Sequence, residues 1–358
     1  MSGGAHCAAF ALGPKYAYTV AFAACAHLAA RGTGMGADAL SDVLRAVKLT
    51  GAVFFTVDVS PPWLAPVPSA ETLRPIIMPS AQHLISFHLV TAGGCWTIPQ
   101  RSEPVRLEVG DVVVFPGGDP HVMCSDPKAP PSAAFDVRTM PPIVQWPYHI
   151  GDATNGPDRL GLICGFLGCD VRPFNPLLMA LPRTMVVSDR RGADGWLAQF
   201  TRFAVAEATA KRAGSEGVLG RLSELMFVEA VRMHLDSLPG EQTGWLAGLR
   251  DRHVGQALTL MHGKPAHPWT IEELSRDVGL SRSALADRFM HFLGQPPMHY
   301  LAQWRMQVAA GLLSSGGASI AAIAREVGYG SEAAFSRAFK KLVGTPPAAW
   351  RRRQSNGT

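Results

Sequence analysis

Apolar residues are arranged in two different textures along this chain. From Ala52 to about Val187 they fall in short runs broken by glycine and proline: GAVFFTVDV, HLISFHLVTAGGCWTI, VRLEVGDVVVFP and LGLICGFLGC. These runs read as strands separated by turns, and regularly spaced short strands suggest a barrel or jelly roll. Further on, apolar positions recur at helical spacing. Trp196, Phe200, Phe203 and Val205 mark one helix. Leu222, Leu225, Met226 and Met233, with Glu229 among them, mark a second, bounded by Ser215 and Leu238. The stretch DSLPGEQTG then breaks the second helix and reads as a linker.

The last hundred residues carry one pattern twice. Thr270-Ile271…Leu274…Arg276-Asp277-Val278-Gly279 is matched by Ser319-Ile320…Ile323…Arg325-Glu326-Val327-Gly328 at an offset of 49. Phe289…Gly294-x-Pro296-Pro297…Tyr300 is matched by Phe339…Gly344-x-Pro346-Pro347…Trp350 at an offset of 50. A repeat names the structural unit before any propensity argument does. Each copy is a short helix, a glycine turn, a second helix and a Gly-x-Pro-Pro stop. Thr270 with Glu273 forms a capping box, and Gly279 and Gly328 supply the left-handed residue at the turns. Leu285, Phe289 and Phe292 line the inner face of one second helix; Phe335, Phe339 and Leu342 line the other. Such a helix-turn-helix places its second helix in the major groove of DNA.

Charge follows the same division. The chain is 358 residues long with a net charge of +5. From Arg250 to the end it holds 14 basic against 7 acidic side chains, and the remainder holds 19 against 21. The basic excess therefore belongs to the repeat domain, as DNA binding requires. Six cysteines lack any C-x-x-C spacing, so neither a zinc finger nor a disulfide framework is indicated, and a reducing cytoplasm is expected. No apolar run reaches the roughly 20 residues of a membrane helix. Tyr16–Ala30 has the look of a signal peptide, but a DNA-binding protein has no use for export. Residues 1–38 read instead as a disordered extension or as sequence upstream of the true start.

The stretch from Trp269 to Trp350 resembles the AraC/XylS family of transcription regulators. The resemblance implies two helix-turn-helix units joined by a long helix, here about Met298 to Leu313 with Trp304, Val308 and Leu312 as its apolar stripe. The two heads would enter successive major grooves about 34 Å apart on one DNA face. On the first reading helix Arg282, Ser283, Ala286 and Asp287 point away from the apolar face; on the second Glu332, Ala333, Ser336 and Arg337 do so. Arginine can bond guanine bidentately, and carboxylates can accept from cytosine. Arg288, Lys340 and Lys341 are expected at phosphates, where they set affinity rather than sequence. Asp287 stands where relatives often carry a basic or amide residue, so either the first head is weaker or Asp287 pairs with a neighbouring arginine. A solvated helix face is the plain alternative for each single residue, but not for the two helices as units.

Within the strand-rich part, Gly110-x5-Pro116-x-Gly118-x2-His121 resembles the second signature of the cupin superfamily. The first signature, His-x-His followed by Glu, is absent, because His83 and His88 have the wrong spacing. This argues against the iron or manganese site of cupin enzymes. If Val90 pairs with Cys95 across the turn at Ala92-Gly93, His88 and Cys95 share a strand face. His88, His121 and Cys164, with Cys95, then converge inside the barrel. Three readings stay open: a site for zinc or another thiophilic metal, an oxidant-sensing thiol whose pKa two imidazoles lower, and plain core residues.

The expected architecture is α+β: an N-terminal cupin-like β-barrel over 39–188, a helical pair over 189–238 that closes the barrel or dimerises, a linker over 239–249, and an all-α double helix-turn-helix domain over 250–353. The expected function is sequence-specific regulation of transcription, with the barrel receiving a small-molecule, metal or redox signal. Expected partners are promoter DNA, RNA polymerase, an effector and a second copy of the chain, with no membrane. Activation is the working expectation, although nothing in the sequence separates an activator from a repressor. The rival is a cupin-fold dioxygenase or isomerase fused to a DNA-binding domain, which the missing His-x-His…Glu set opposes.

Overall fold

The computed structural model describes residues 38–128, 148–151, 159–171, 173–188, 195–210 and 212–355, and among these it contains ten strands and thirteen helices. The N-terminal extension lies outside these residues, apart from Asp38. That residue caps a helix the sequence pattern did not suggest, α1 (Ala39–Ala46), by accepting from the Leu40 amide.

The barrel is made of two sheets. Strands β1 (Thr50–Val59), β3 (His83–Ala92), β6 (Val112–Phe115), β8 (Tyr148–Ile150), β9 (Leu160–Cys169) and β10 (Met185–Val187) form one, in the order β10-β6-β3-β9-β1-β8. Strands β2 (Leu64–Val67), β4 (Gly94–Pro99), β5 (Val105–Glu108) and β7 (His121–Cys124) form the other, in the order β2-β7-β4-β5. Side chains alternate across a strand, and the central strands β6, β3 and β9 are buried on both faces. Ile85, Phe87, Leu89, Val112, Val114, Ile163 and Leu167 face outward into the helices. Val90, Val113, Phe115 and Leu162 face the barrel interior, where Cys164 packs beside them. The double burial explains why β6 reads as an unbroken apolar run.

The pairing of Val90 with Cys95 does not occur. Beyond Ala92 the chain leaves the larger sheet through Gly93, at φ +67°, and Cys95 pairs with Leu107 in the smaller one. A two-sheet barrel needs such a crossing, which a hairpin reading of HLISFHLVTAGGCWTI cannot anticipate. The cupin-like turn forms as expected. Gly110 and Gly118 have φ of +92° and +65°. A Cβ on Gly118 would lie 2.2 Å from that of Ala70, on the short helix α2 (Ala70–Ile77).

Helices α4 (Trp196–Ala210) and α5 (Ser215–Ser237) cover the outer face of the larger sheet. The short helix α3 (Pro176–Ala180) lies between β9 and β10 in the chain. Gly51 on β1 and Gly220 on α5 meet so closely that a Cβ on Gly51 would lie 2.0 Å from the Gly220 carbonyl oxygen. Glu224 accepts from the Gly51 amide in the same contact.

The C-terminal part contains α6 (Trp245–Arg250), α7 (Arg252–Gly263), α8 (Ile271–Asp277), α9 (Arg282–Leu293), α10 (Pro297–Ser315), α11 (Ile320–Glu326), α12 (Glu332–Val343) and α13 (Pro347–Ser355). Helix α6 occupies positions the sequence pattern gives to the linker. Trp245 is buried, so the helical core begins there rather than at Arg250. The repeat governs the local structure: Thr270, Ser281, Ser319 and Ser331 cap α8, α9, α11 and α12 through their hydroxyls. Glu273 supplies its amide to Thr270, while its carboxylate binds His267 at 2.8 Å. Gly279 and Gly328 make the two turns at φ +76° and +83°.

The two repeat units differ in their cores. Met306, Leu313, Ile323, Val327, Phe335 and Phe339 form a separate cluster for the second unit. The first unit, with Leu274, Leu285, Phe289, Tyr300 and Trp304, belongs to a cluster that continues through α1, α4 and α5 to the outer face of the larger sheet. Polar groups cross the same junction. Gln307 on α10 accepts from the Phe174 amide at 3.0 Å and donates to the Ala46 carbonyl at 3.4 Å. His262 on α7 donates Nδ1–H to the Ala39 carbonyl, so its Nε2 accepts from the Tyr300 hydroxyl, which in turn accepts from Trp245 Nε1.

Candidate functional site

Three of the four barrel residues meet. His88 and Cys164 are directly opposed in the β3–β9 ladder, so their side chains share the interior face. His121 reaches them from β7 in the opposite sheet, its ring stacked on Phe115 at 3.6 Å between centroids. His88 Nδ1 lies 2.8 Å from Cys164 Sγ, and His88 Nε2 lies 2.7 Å from His121 Nε2. Cys95 lies in the same apolar cluster as Cys164, with no hydrogen bond to the other three among the described residues.

One carbonyl fixes every proton in this chain of neutral groups. His121 Nδ1 sits 3.0 Å from the Asp119 carbonyl oxygen, which can only accept, so that nitrogen carries the hydrogen. His121 Nε2 is then bare, and His88 must donate to it from Nε2. His88 Nδ1 is left to accept, and the Cys164 thiol donates to it. Arg183 pairs with the Asp119 carboxylate and holds the turn that carries the carbonyl.

The donor set does not fit a metal. Two nitrogens on one tetrahedral zinc would lie roughly 3.4 Å apart, given Zn–N bonds of about 2.0–2.1 Å. Here they are 2.7 Å apart, and His88 spends its second nitrogen on Cys164. Among the described residues no group of three or more His, Cys, Asp or Glu side chains could hold an ion. The zinc reading is corrected accordingly. The expectation of a lowered thiol pKa is corrected as well. Burial, with Cys95 adding to it, pushes the Cys164 thiol up. Burial pushes the Cys95 thiol up to about 12, holds His88 well below its usual range and lowers His121 to about 4. Desolvation disfavours whichever form is charged, and here it outweighs the attraction between a thiolate and an imidazolium.

His88 and Cys164 form one wall of a cavity of about 450 Å³ between the sheets. Its other walls are almost wholly apolar, with Phe55, Val57, Trp63, Leu73 and Phe166 among them. The volume is that of a small-molecule pocket. Sequence reading did not find these wall residues; their only mark is strand parity, and that becomes usable once the crossing between sheets is known.

On the reading helices the exposed residues are those expected. Arg282, Ser283, Asp287, Arg288, Glu332, Ala333, Arg337, Lys340 and Lys341 are exposed, and Ser336 is half-buried. Among the described residues the pairing suggested for Asp287 is not found: Arg282 binds Glu272 at 2.7 Å, and Arg288 binds Asp251, the N-cap of α7. Arg288 therefore ties α9 to α7. Among the described residues Arg337, Lys340 and Lys341 have no ion pair, so the second head presents the freer positive charge. At 1.5 Å per residue the 19 residues of α10 span about 28 Å, somewhat less than the roughly 34 Å of one DNA turn.

Comparison with known proteins agrees with both halves. Residues 38–236 match the Cupin family and residues 274–353 the helix-turn-helix domain family. The chain is 35% identical over 277 residues to a putative AraC-like transcription regulator of Streptomyces antibioticus, a match covering 76% of this chain and 88% of the relative. It is 29% identical to the HTH-type transcriptional regulator AlkR of Acinetobacter baylyi, over 76% of this chain and 89% of that one. A solved AraC-type DNA-binding regulator structure from Chromobacterium violaceum aligns at 26% identity with TM-score 0.28, covering 29% of this chain and 92% of that chain. A cupin barrel joined to a duplicated helix-turn-helix defines a DNA-binding transcription regulator rather than an enzyme. The chain belongs to the AraC family of such regulators. Among the described residues no helix is long and apolar enough to cross a membrane.

Proposed function

We propose that the barrel cavity receives an apolar small molecule and that its occupancy sets how α9 and α12 engage promoter DNA. The observation that carries this reading is the 450 Å³ apolar cavity lying behind a sheet whose outer face shares one core with the first helix-turn-helix unit. Occupancy acts by favouring one arrangement of sheet and DNA-binding helices over another. The regulator works as a homodimer that meets RNA polymerase at the promoter; the exposed Phe203, Leu225 and Val218 on the helical pair support a dimer face there.

The cavity is tested with N-phenyl-1-naphthylamine, a neutral dye that brightens in apolar surroundings. The parent is expected to bind it, and Val57→Phe, which narrows the cavity, to bind it more weakly while the chain still binds DNA. A parent that leaves the dye dark would overturn the pocket reading. On the DNA side, Arg337→Ala is expected to cost about 1–3 kcal/mol on the best operator and to relax specificity at one position. Lys340→Ala is expected to weaken all sequences alike and to flatten the salt dependence. Identical behaviour of the two variants across an operator panel would show that reader and clamp are wrongly assigned.

A further inference from the structure

We propose that Cys164 is a modification site for apolar α,β-unsaturated carbonyl compounds that enter the barrel cavity, with His88 as the base that takes the thiol proton. The inference rests on the cavity reading and adds a chemical class to it. Three observations on separate elements support it. Cys164, on β9, is a sulfur bordering the cavity. Its thiol donates to a bare imidazole nitrogen 2.8 Å away on β3. That imidazole is oriented by His121 on β7, itself anchored to a backbone carbonyl. A nucleophile, a base in contact with it and a third group orienting the base is the arrangement by which proteins activate a thiol.

The addition balances without any co-reactant. Sγ bonds to the β-carbon as the carbon–carbon π bond breaks and its electrons move toward the carbonyl. The thiol proton passes to His88 Nδ1 and from there to the α-carbon, and nothing leaves. His88 Nε2–H stays on His121 throughout, so the transient imidazolium keeps a partner.

The same geometry makes the site selective. Burial keeps both thiol and imidazole neutral, so Cys164 presents no thiolate to water-borne reagents. Walls formed by Phe55, Val57, Trp63 and Phe166 favour an uncharged, largely hydrocarbon electrophile. A molecule must therefore first seat its β-carbon beside Sγ, where proton transfer to His88 accompanies S–C bond formation.

The test uses the full chain with 3-nonen-2-one, its saturated counterpart 2-nonanone and the anionic reagent iodoacetate, read by intact-mass and peptide mass spectrometry. The enone is expected to add its whole mass once, on Cys164, faster than it labels any of the other five cysteines or the unfolded chain. The ketone should slow that labelling, and iodoacetate should react more slowly at Cys164 in the folded chain than in the unfolded one. His88→Leu should lower the labelling rate roughly a hundredfold or more, as the loss of a general base does. Cys164→Ser should abolish the adduct and still bind the naphthylamine dye. If the dye binds and the ketone displaces it, yet the enone leaves Cys164 unmodified or labels another cysteine first, this proposal fails and the pocket stands. If the dye does not bind, the pocket reading fails with it. The comparison of enone, ketone and iodoacetate on the parent chain decides the matter even if the His88 variant does not fold.

Discussion

Acidification from pH 6.5 to 5 is expected to lower the stability of this protein steeply. His88, His121 and His262 are buried and neutral, and burial lowers all three pKa values, to about 4 for His121 and about 3 for His262. The same rings titrate near 6.5 in the unfolded chain, which therefore takes up protons first as the pH falls. Their contribution is fully present above pH 6.5 and is lost progressively toward the folded values. Each histidine removes up to about 1.4 kcal/mol per pH unit, on the order of a few kcal/mol in all. Asp42 and Asp170 act in the opposite sense, because burial raises them, but they start from 3.8 and leave the upper part of the window to the histidines. Urea midpoints measured at pH 7.5, 6.5, 5.8 and 5 check this. A midpoint that stays level across that range would mean the rings are solvated or protonated in the native state.

Removing one hydroxyl, in Tyr300→Phe, is expected to cost roughly 2–5 kcal/mol, because a buried donor and a buried acceptor each lose their partner. Trp245 Nε1 donates to that hydroxyl and His262 Nε2 accepts from it, both at 2.8 Å. His262 is sandwiched by Trp304 at 3.9 Å between ring centroids, which leaves it little freedom to find another bond. Since this group sits where α1 meets α7 and α10, the loss should appear in barrel and first-unit probes together. The second unit, with its own core, should be affected less. Hydrogen exchange resolved by peptide separates the two. A variant within about 0.5 kcal/mol of the parent would show that Trp245 and His262 rebond elsewhere.

Much of the fold was legible because local rules and global structure agree over most of the chain. The duplicated helices, their serine and threonine caps and both turn glycines follow from spacing and from the need for positive φ. The cupin-like turn before His121 follows from Gly110 and Gly118 in the same way. His88, His121 and Cys164 converge as expected, but the pairing of Val90 with Cys95 that would bring Cys95 to them fails, because β4 joins the other sheet. Helix α1 is not legible in the sequence, since eight residues beginning Ala-Leu-Ser-Asp carry too short a period to stand out. Nor is the junction; a lone Gln307 three residues after Trp304 is its trace in the sequence.

The sequence by itself determined the element types, the duplicated DNA-binding unit, the concentration of basic charge there and the side-chain types that meet in the barrel. These depend on neighbours a few residues apart, where capping, turn chemistry and periodicity act. Only the tertiary structure decided which sheet β4 joins, where the cavity lies, which proton each imidazole carries and how the first helix-turn-helix shares its core with the barrel. It also reversed the expected acidity of Cys164. Two histidines beside a cysteine suggest a thiolate on paper. Inside the barrel, water is excluded from all three at once, and a charge on any of them loses more hydration than its neighbours restore.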